Sequence, residues 1–142
     1  MKKKQSLRVV LVLLCAVMLC SFPAHAVETR ASERIDLSAS TIGKTSDGRL
    51  SAYFMVQGTG IMDVIGATSV EIQRYTFTGW VTEYTFTSEK FPGLLTTNSG
   101  RHSAELLYTP LFPEKTYRAV AHIYVKNAAG TSTQNLASTA VT

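Results

Sequence analysis

The chain has 142 residues, of which 45% are hydrophobic and 17% are charged, and its formal net charge is +4. The excess of positive charge comes from Lys2, Lys3, Lys4 and Arg8, because the rest of the chain has ten basic and ten acidic residues. Binding to nucleic acid or to an anionic membrane depends on clustered positive charge. The composition beyond the first residues therefore excludes both as expected partners.

The N-terminus has the organisation of a secretory signal. The basic residues are followed by an apolar run from Val9 to Cys20 and then by Ala24-His25-Ala26, the order that such signals have before their cleavage site. The run is shorter than the roughly 20 residues that a membrane-spanning helix needs. We therefore expect cleavage after Ala26, no membrane span afterwards, and a protein that is secreted or loosely associated with the cell envelope.

Both cysteines, Cys15 and Cys20, lie in this signal. The expected mature chain, residues 27–142, is therefore disulfide-free and cannot form a thiolate metal site. Its length suits one domain that is stabilised by its core alone. We expect a signal peptide at 1–26, a flexible arm at 27–34 and a folded domain at 35–142.

The folded domain is predicted to be all-β, because short runs of β-branched and aromatic residues are separated by Gly, Asn, Asp, Ser and Pro. Turns are expected at Ser46-Asp47-Gly48, Thr78-Gly79, Asn98-Ser99-Gly100 and Asn127–Gly130. The seven expected strands cover residues 35–43, 49–58, 67–75, 80–86, 103–109, 117–126 and 131–142, with a weaker candidate at 91–97. Seven short strands at this spacing are typical of an antiparallel β-sandwich.

Alternation of apolar and polar residues predicts which side chains face the core. The expected inner rows are Leu50, Ala52, Phe54 and Val56; Val70 and Ile72; Ala104, Leu106 and Tyr108; and Tyr117, Ala119, Ala121, Ile123 and Val125.

One stretch resembles a known family. Residues 111–130 are similar to part of fibronectin type III domains. The motif Leu111-x-Pro113-x-x-x-Tyr117 resembles their E–F corner, the alternating strand that follows resembles their F strand, and Asn127-Ala128-Ala129-Gly130 resembles their F–G turn. The resemblance implies an immunoglobulin-like sandwich in which Tyr117 forms the structural tyrosine corner by hydrogen bonding to the chain upstream. The overall layout, with Gly60-x-x-Asp63-x-Ile65-Gly66 before a Val-x-Ile strand, also resembles small exported bacterial proteins of uncharacterised function.

The residues that could support catalysis or bind metal are isolated in the sequence. His102 and His122 are the neutral-pH bases of the folded domain, and neither has a nucleophile and an orienting group in a recognisable pattern. Asp63, Glu71 and Glu83 are too scattered to predict a metal site. We therefore expect neither an enzyme nor a bound cofactor.

An aromatic series around Thr78-Gly79 is the best candidate for recognition. A two-residue turn there would place Tyr75, Phe77 and Trp80 on the outer face, where rings can stack on sugars or anchor a protein. A bulge would instead turn Trp80, Tyr84 and Phe86 into the core, because one register step exchanges the faces. The sequence leaves both arrangements open.

A second candidate is the apolar segment Gly58–Gly66. Loops at the end of a sandwich often bind ligands, although Ile61 and Ile65 would equally well close the end of the core, which is the interpretation we favour.

These features together predict an exported, non-catalytic binding module whose partner is a cell-envelope glycan or an extracellular protein. The alternative is a structural protein that self-assembles through edge-strand pairing.

Overall fold

The structure, a computed structural model, describes residues 33–142. The predicted signal at 1–26 and residues 27–32 of the predicted arm lie outside this range. Six strands are formed: β1 (Ile35–Lys44), β2 (Leu50–Thr76), β3 (Gly79–Thr87), β4 (Leu95–Tyr108), β5 (Tyr117–Asn127) and β6 (Gly130–Ala137). A short 3-10 turn, Pro92–Leu94, precedes β4. All pairings are antiparallel, so the predicted all-β class is confirmed.

The long strand β2 organises the fold. Its first half, residues 50–57, pairs with β1 on one side and with β4 on the other. Its second half pairs with β5 on one side and, on the other, with the start of β4 over residues 62–66 and with β3 over residues 69–76, while β6 extends the sheet from β5. The buried faces of both halves share one hydrophobic core. β2 therefore carries the sheet from one layer of the sandwich into the other.

The predicted inner rows of the long strands are confirmed. The alternate residues from Leu50 to Val56 and from Tyr117 to Val125 are at most 1% exposed, and Val70 and Ile72 are also buried. Ala104, Leu106 and Tyr108 are partly buried and pack against this cluster. Burial of each large aliphatic side chain contributes about 1.5–3 kcal/mol, so these rows are the main source of stability in the sandwich.

Two of the predicted turns are present as hairpins. At the β1–β2 connection, Thr45 N–H donates to the carbonyl oxygen of Arg49 at 2.8 Å, and Gly48 has a positive φ of 79°. Asn127 pairs with Gly130 across the β5–β6 turn. The Asn127 side-chain oxygen accepts hydrogen bonds from Ala129 N–H and from the Arg34 guanidinium, which attaches the start of β1 to this turn.

The expected separation of strands at 49–58 and 67–75 is wrong. The segment Gly58–Gly66 does not leave the sheet; the chain continues as β2 and bends at register shifts between Gln57 and Met62 and between Ala67 and Ser69. Irregular pairing bends a strand and increases its twist. Met62 and Ile65 are buried, whereas Ile61 is 67% exposed. The expectation that Ile61 closes the core is therefore also wrong.

The turn expected at Asn98-Ser99-Gly100 is absent as well, because β4 runs through it. Asn98 adopts a left-handed φ of 50°, and Asn is one of the few non-glycine residues that tolerate this conformation. The same residues therefore mark an irregular point in a strand opposite the bend of β2.

Within residues 33–142, no helix has the length and apolar character needed to cross a membrane.

Candidate binding face

The β2–β3 hairpin presents the aromatic residues. Thr76 pairs with Gly79 and Tyr75 pairs with Trp80, so the two turn residues are Phe77 and Thr78, one position before the predicted Thr78-Gly79. Gly79 supplies the positive φ of 113° that follows the turn, and Thr76 Oγ1 donates a hydrogen bond to its carbonyl oxygen at 2.8 Å. This register places Phe77 at the tip and Tyr75 beside Trp80.

A bulge in β3 separates the remaining aromatic residues from this pair. Ile72 pairs with Tyr84 and Gln73 with Thr82, which leaves Glu83 as the extra residue. Phe86, beyond the bulge, is buried and packs edge-to-face against Phe91 with their ring centroids 4.9 Å apart. The core arrangement considered from the sequence therefore holds for Phe86 but is wrong for Tyr84, which is 39% exposed, and for Trp80, which pairs with the exposed Tyr75.

Tyr75, Phe77 and Trp80 differ in exposure. Phe77 is fully exposed and Tyr75 is 53% exposed, whereas Trp80 is half-buried. The Trp80 ring lies edge-to-face with Tyr75, with ring centroids 5.1 Å apart. The guanidinium carbon of Arg118 lies 4.4 Å from the Trp80 ring centroid. Trp80 thus contacts both Tyr75 and Arg118 and fixes their relative positions.

We call the solvent side of strands β3, β2, β5 and β6 the outer face. Paired residues share a face, so the strand pairings identify the residues that point away from the core. These are Trp80, Thr82, Thr85 and Thr87 in β3; Ser69, Glu71, Gln73 and Tyr75 in β2; Arg118, Val120, His122, Tyr124 and Lys126 in β5; and Thr131, Thr133, Asn135 and Ala137 in β6. The face is mostly polar and has its exposed aromatic residues at one end.

A chain of hydrogen bonds crosses the outer face. Arg118 Nε donates to Gln73 Oε1 at 2.9 Å, and Gln73 Nε2 donates to Glu71 Oε2 at 2.7 Å. Glu71 Oε1 lies 3.0 Å from His122 Nε2, and His122 Nδ1 lies 2.9 Å from Asn135 Oδ1. These contacts hold planar polar side chains from three strands in fixed orientations.

The carboxyl group of Glu71 is the centre of this chain. Burial raises its pKa, but hydrogen bonds from Gln73, Thr82 and His122 lower it by more, so that the pKa lies below its ordinary value. Glu71 is therefore ionised at neutral pH and acts as a fixed acceptor.

Both histidines of the described range, His102 and His122, make hydrogen bonds within the fold. His102 Nε2 lies 2.8 Å from the Gly93 carbonyl oxygen, and its ring packs edge-on against Phe54. Both ring nitrogens of His122 are already within hydrogen-bond distance of Glu71 and Asn135. Over the described range 33–142, no three His, Cys, Asp or Glu side chains are grouped so that they could hold a metal ion.

Tyr117, predicted to form a tyrosine corner, is buried at the start of β5. Its hydroxyl oxygen accepts a hydrogen bond from Phe112 N–H at 3.3 Å and lies 3.1 Å from Glu83 Oε1. Glu83 also accepts from Arg74 Nε at 2.8 Å and from the Tyr108 hydroxyl at 3.0 Å. This network fixes the loop between β4 and β5 against the bulge of β3.

Sequence reasoning missed Glu83 and the polar chain of the outer face. Their partners come from strands that are distant in the sequence; Glu71 and His122, for example, are 51 residues apart. The detectable signal is that Glu71 and Gln73 alternate with the buried Val70 and Ile72, which assigns them to the outer face but leaves their neighbours unspecified.

Neither a scan against models of protein families nor searches of curated proteins and of solved structures finds a match to this chain. The geometry of the outer face is therefore the basis for a functional proposal.

Proposed function

We propose that this chain is an exported, non-catalytic binding module whose partner is a glycan of the cell envelope, held by the outer face and the aromatic residues Tyr75, Phe77 and Trp80. The observation that carries the proposal is the exposure of Tyr75 and Phe77 directly beside fixed polar side chains. Exposed aromatic residues that are grouped in a patch commonly mark contact sites.

The chemistry of the outer face favours a sugar over other ligands. A sugar ring combines an apolar face, which packs on an aromatic ring, with a rim of hydroxyl groups that donate and accept hydrogen bonds. Tyr75 supplies the ring, while Gln73, Glu71 and Asn135 supply amide and carboxylate groups whose positions are fixed by the contacts described above. Pre-organised groups bind better because less side-chain freedom is lost on association.

We place the protein outside the cytoplasmic membrane, secreted or loosely associated with the envelope. The support is the basic, apolar and Ala24-His25-Ala26 order of the N-terminus. Mass spectrometry of protein recovered from the producing cell tests this placement: a mature N-terminus at Val27 is expected, and an uncleaved chain retained in the cytoplasm would contradict it.

We assign the sandwich to the immunoglobulin-like kind, close to fibronectin type III domains. One group has three strands: β1, the first half of β2 and residues 101–108 of β4. The other group has β3, the second half of β2, β5 and β6, together with residues 95–99 of β4. The loop after β4 therefore leads from the first group to the second. The hydrogen bond from Phe112 N–H to the Tyr117 hydroxyl closes that loop, as a tyrosine corner does.

Co-sedimentation with cell-wall fragments tests the binding proposal. The full chain is expressed in an exporting host, and the processed product is mixed with fragments from the producing cell. The product is expected to sediment with the fragments, and Tyr75→Ala is expected to weaken this at least about tenfold. Tyr53→Ala is the matched control, because Tyr53 is a partly exposed strand tyrosine of the three-stranded group.

Thermal melts of each variant establish that it remains folded. An intact product that stays in the supernatant would contradict the proposal. So would equal binding by the Tyr75 and Tyr53 variants.

Self-assembly through strand edges is the second candidate. The favouring observation is that β3 pairs with β2 alone among the described strands, which leaves its other edge open. The bulge at Glu83 interrupts that edge, and bulges are a common protection against edge-to-edge pairing. We therefore rank assembly second; light scattering at increasing concentration tests it, since oligomers would support assembly and a constant monomer would exclude it.

A further inference from the structure

The charge of Arg118 has no carboxylate partner among the described residues. The arginine ion pairs in that range involve Arg49 and Arg74. Arg118 instead donates through Nε to the neutral Gln73 amide and places its guanidinium over Trp80. An arginine held in one orientation, with its charge uncompensated at close range, is typical of a site for an anionic group.

The contacts of Arg118 determine which of its atoms can bind. Nε is occupied by Gln73, and one face of the guanidinium is covered by the Trp80 ring. No hydrogen bond within residues 33–142 engages the two terminal amino groups, Nη1 and Nη2. These two donors match the two oxygens of a carboxylate in an end-on, bidentate arrangement.

The nearest anionic side chain on this surface, Glu71, is already engaged by hydrogen bonds. Its carboxylate accepts hydrogen bonds from Gln73 and Thr82, and its Oε1 lies 3.0 Å from His122 Nε2. It therefore opposes an incoming carboxylate less than an unpaired acid would. Residues 27–142 have ten basic and ten acidic side chains, so a preference for an anion would come from this site and not from the net charge.

We infer that the outer face binds an acidic glycan, with the Arg118 terminal amino groups pairing with a sugar carboxylate while the exposed ring of Tyr75 packs on a sugar ring. Trp80 acts as the positioning residue, since it contacts both the Tyr75 ring and the Arg118 guanidinium. This inference rests on the proposed glycan-binding function and adds the class of sugar that the site selects.

A pair of polymers that differ only in their carboxyl groups tests the inference. Polygalacturonate carries free carboxylates, and its fully methyl-esterified form carries the same sugars without the charge. Binding of the processed product is measured with both by affinity electrophoresis. We expect the free acid to bind at least about tenfold more tightly than the ester, as the loss of one charge-assisted bidentate pair implies.

Two variants locate the contact. Arg118→Gln is expected to remove most of the preference for the free acid. Lys126→Gln removes the same charge from the same strand, but at an exposed position at the far end of the outer face, and is expected to retain the preference. An equal loss in both variants would overturn the inference in favour of non-specific attraction.

The remaining outcomes separate this inference from the function on which it rests. Binding of acid and ester with equal affinity, or of neither, would overturn it; co-sedimentation with wall fragments would then still stand as evidence for a glycan module. Tighter binding of poly-L-glutamate than of polygalacturonate would also overturn it and point to an acidic protein partner. Failure to sediment with wall fragments would contradict the proposed function itself.

Discussion

The hydroxyl oxygen of Tyr117 lies 3.1 Å from Oε1 of Glu83, although the two residues are 34 positions apart in the chain. The contact joins the first residue of β5 to the bulge of β3. It stabilises both the loop after β4 and the β3 register, and that register places Trp80 on the outer face. The buried network is thus a structural support of the candidate binding face.

Replacing Tyr117 with Phe removes this contact while retaining the buried ring. Phe112 N–H then lacks its acceptor, and Glu83 has one donor fewer. Because hydrogen bonds to charged groups contribute about 1.5–3 kcal/mol, we expect a loss of this order in the free energy of unfolding. Urea denaturation measures it.

Tyr124→Phe is the matched control, because Tyr124 is a half-buried tyrosine of the same strand on the outer face. A change within about 0.5 kcal/mol is expected there. Equal losses in the two variants would contradict the role assigned to the Tyr117 hydroxyl.

Acid is expected to destabilise the fold through Glu83. Burial raises the pKa of this carboxyl. Hydrogen bonds from Leu111 N–H, Arg74, Tyr108 and Tyr117 lower it by more, so the pKa lies below its ordinary value of 4.5. A depressed pKa in the folded state contributes stability that is present above the unfolded-state pKa and is lost as the pH falls through the folded-state pKa.

Melting temperatures measured from pH 7 to pH 3 should therefore fall below about pH 4.5. Glu83→Gln should melt at a lower temperature at pH 7 but with a weaker dependence on acid. An unchanged pH dependence in that variant would show that Glu83 does not control acid stability.

Alkali should act through Tyr108. Burial and then the hydrogen bond to Glu83 raise the pKa of Tyr108 to about 12 from 10.0. A raised pKa contributes stability that is complete below the unfolded-state pKa and is lost as the pH rises through the folded-state value. Unfolding between about pH 10 and pH 12 is expected to accompany a late tyrosine ionisation, and both are followed by ultraviolet absorbance and circular dichroism. If Tyr108→Phe leaves that late ionisation unchanged, the assignment is wrong.

Gly66 is expected to resist substitution. Its φ is +147°, and an added Cβ would lie 2.1 Å from the Leu94 carbonyl oxygen, so β2 or the Pro92–Leu94 turn would have to shift. Gly66→Ala should cost more than about 2 kcal/mol. Gly60→Ala is the control in the same strand, because no atom lies within 4 Å of the added Cβ; similar stabilities of the two variants would contradict the described packing.

The core could be predicted from the sequence because its signal is local. Alternation along Leu50–Val56 and Tyr117–Val125 assigns each residue to a face without knowledge of its neighbours. Asp47-Gly48 and Asn127–Gly130 likewise specify turns through their own backbone preferences.

The course of β2 could not be predicted in the same way. Gly58 and Gly60 are compatible with a turn, and the chain instead continues because residues 64–66 find partners in both β4 and β5. Such pairing depends on strands that come much later in the chain. Tertiary pairing therefore decides between a turn and a bent strand.

The candidate site was predicted only in part. The sequence identified Tyr75, Phe77 and Trp80 as one group, but the turn lies one residue earlier than expected and the bulge falls at Glu83. The partnership of Trp80 with Arg118 depends on the register of β5 against β2, which no local pattern encodes.

The central claim is that the outer face binds a glycan of the cell envelope, and nuclear magnetic resonance tests it most directly. The isotope-labelled, processed product is titrated with soluble glycan released from the wall of the producing cell. The account predicts that the shifted signals belong to the outer face and the aromatic hairpin, including the Trp80 indole N–H and the backbone amides of Gln73, Tyr75 and Arg118. Shifts confined to β1 and β4, or an unchanged spectrum at saturating glycan, would contradict it.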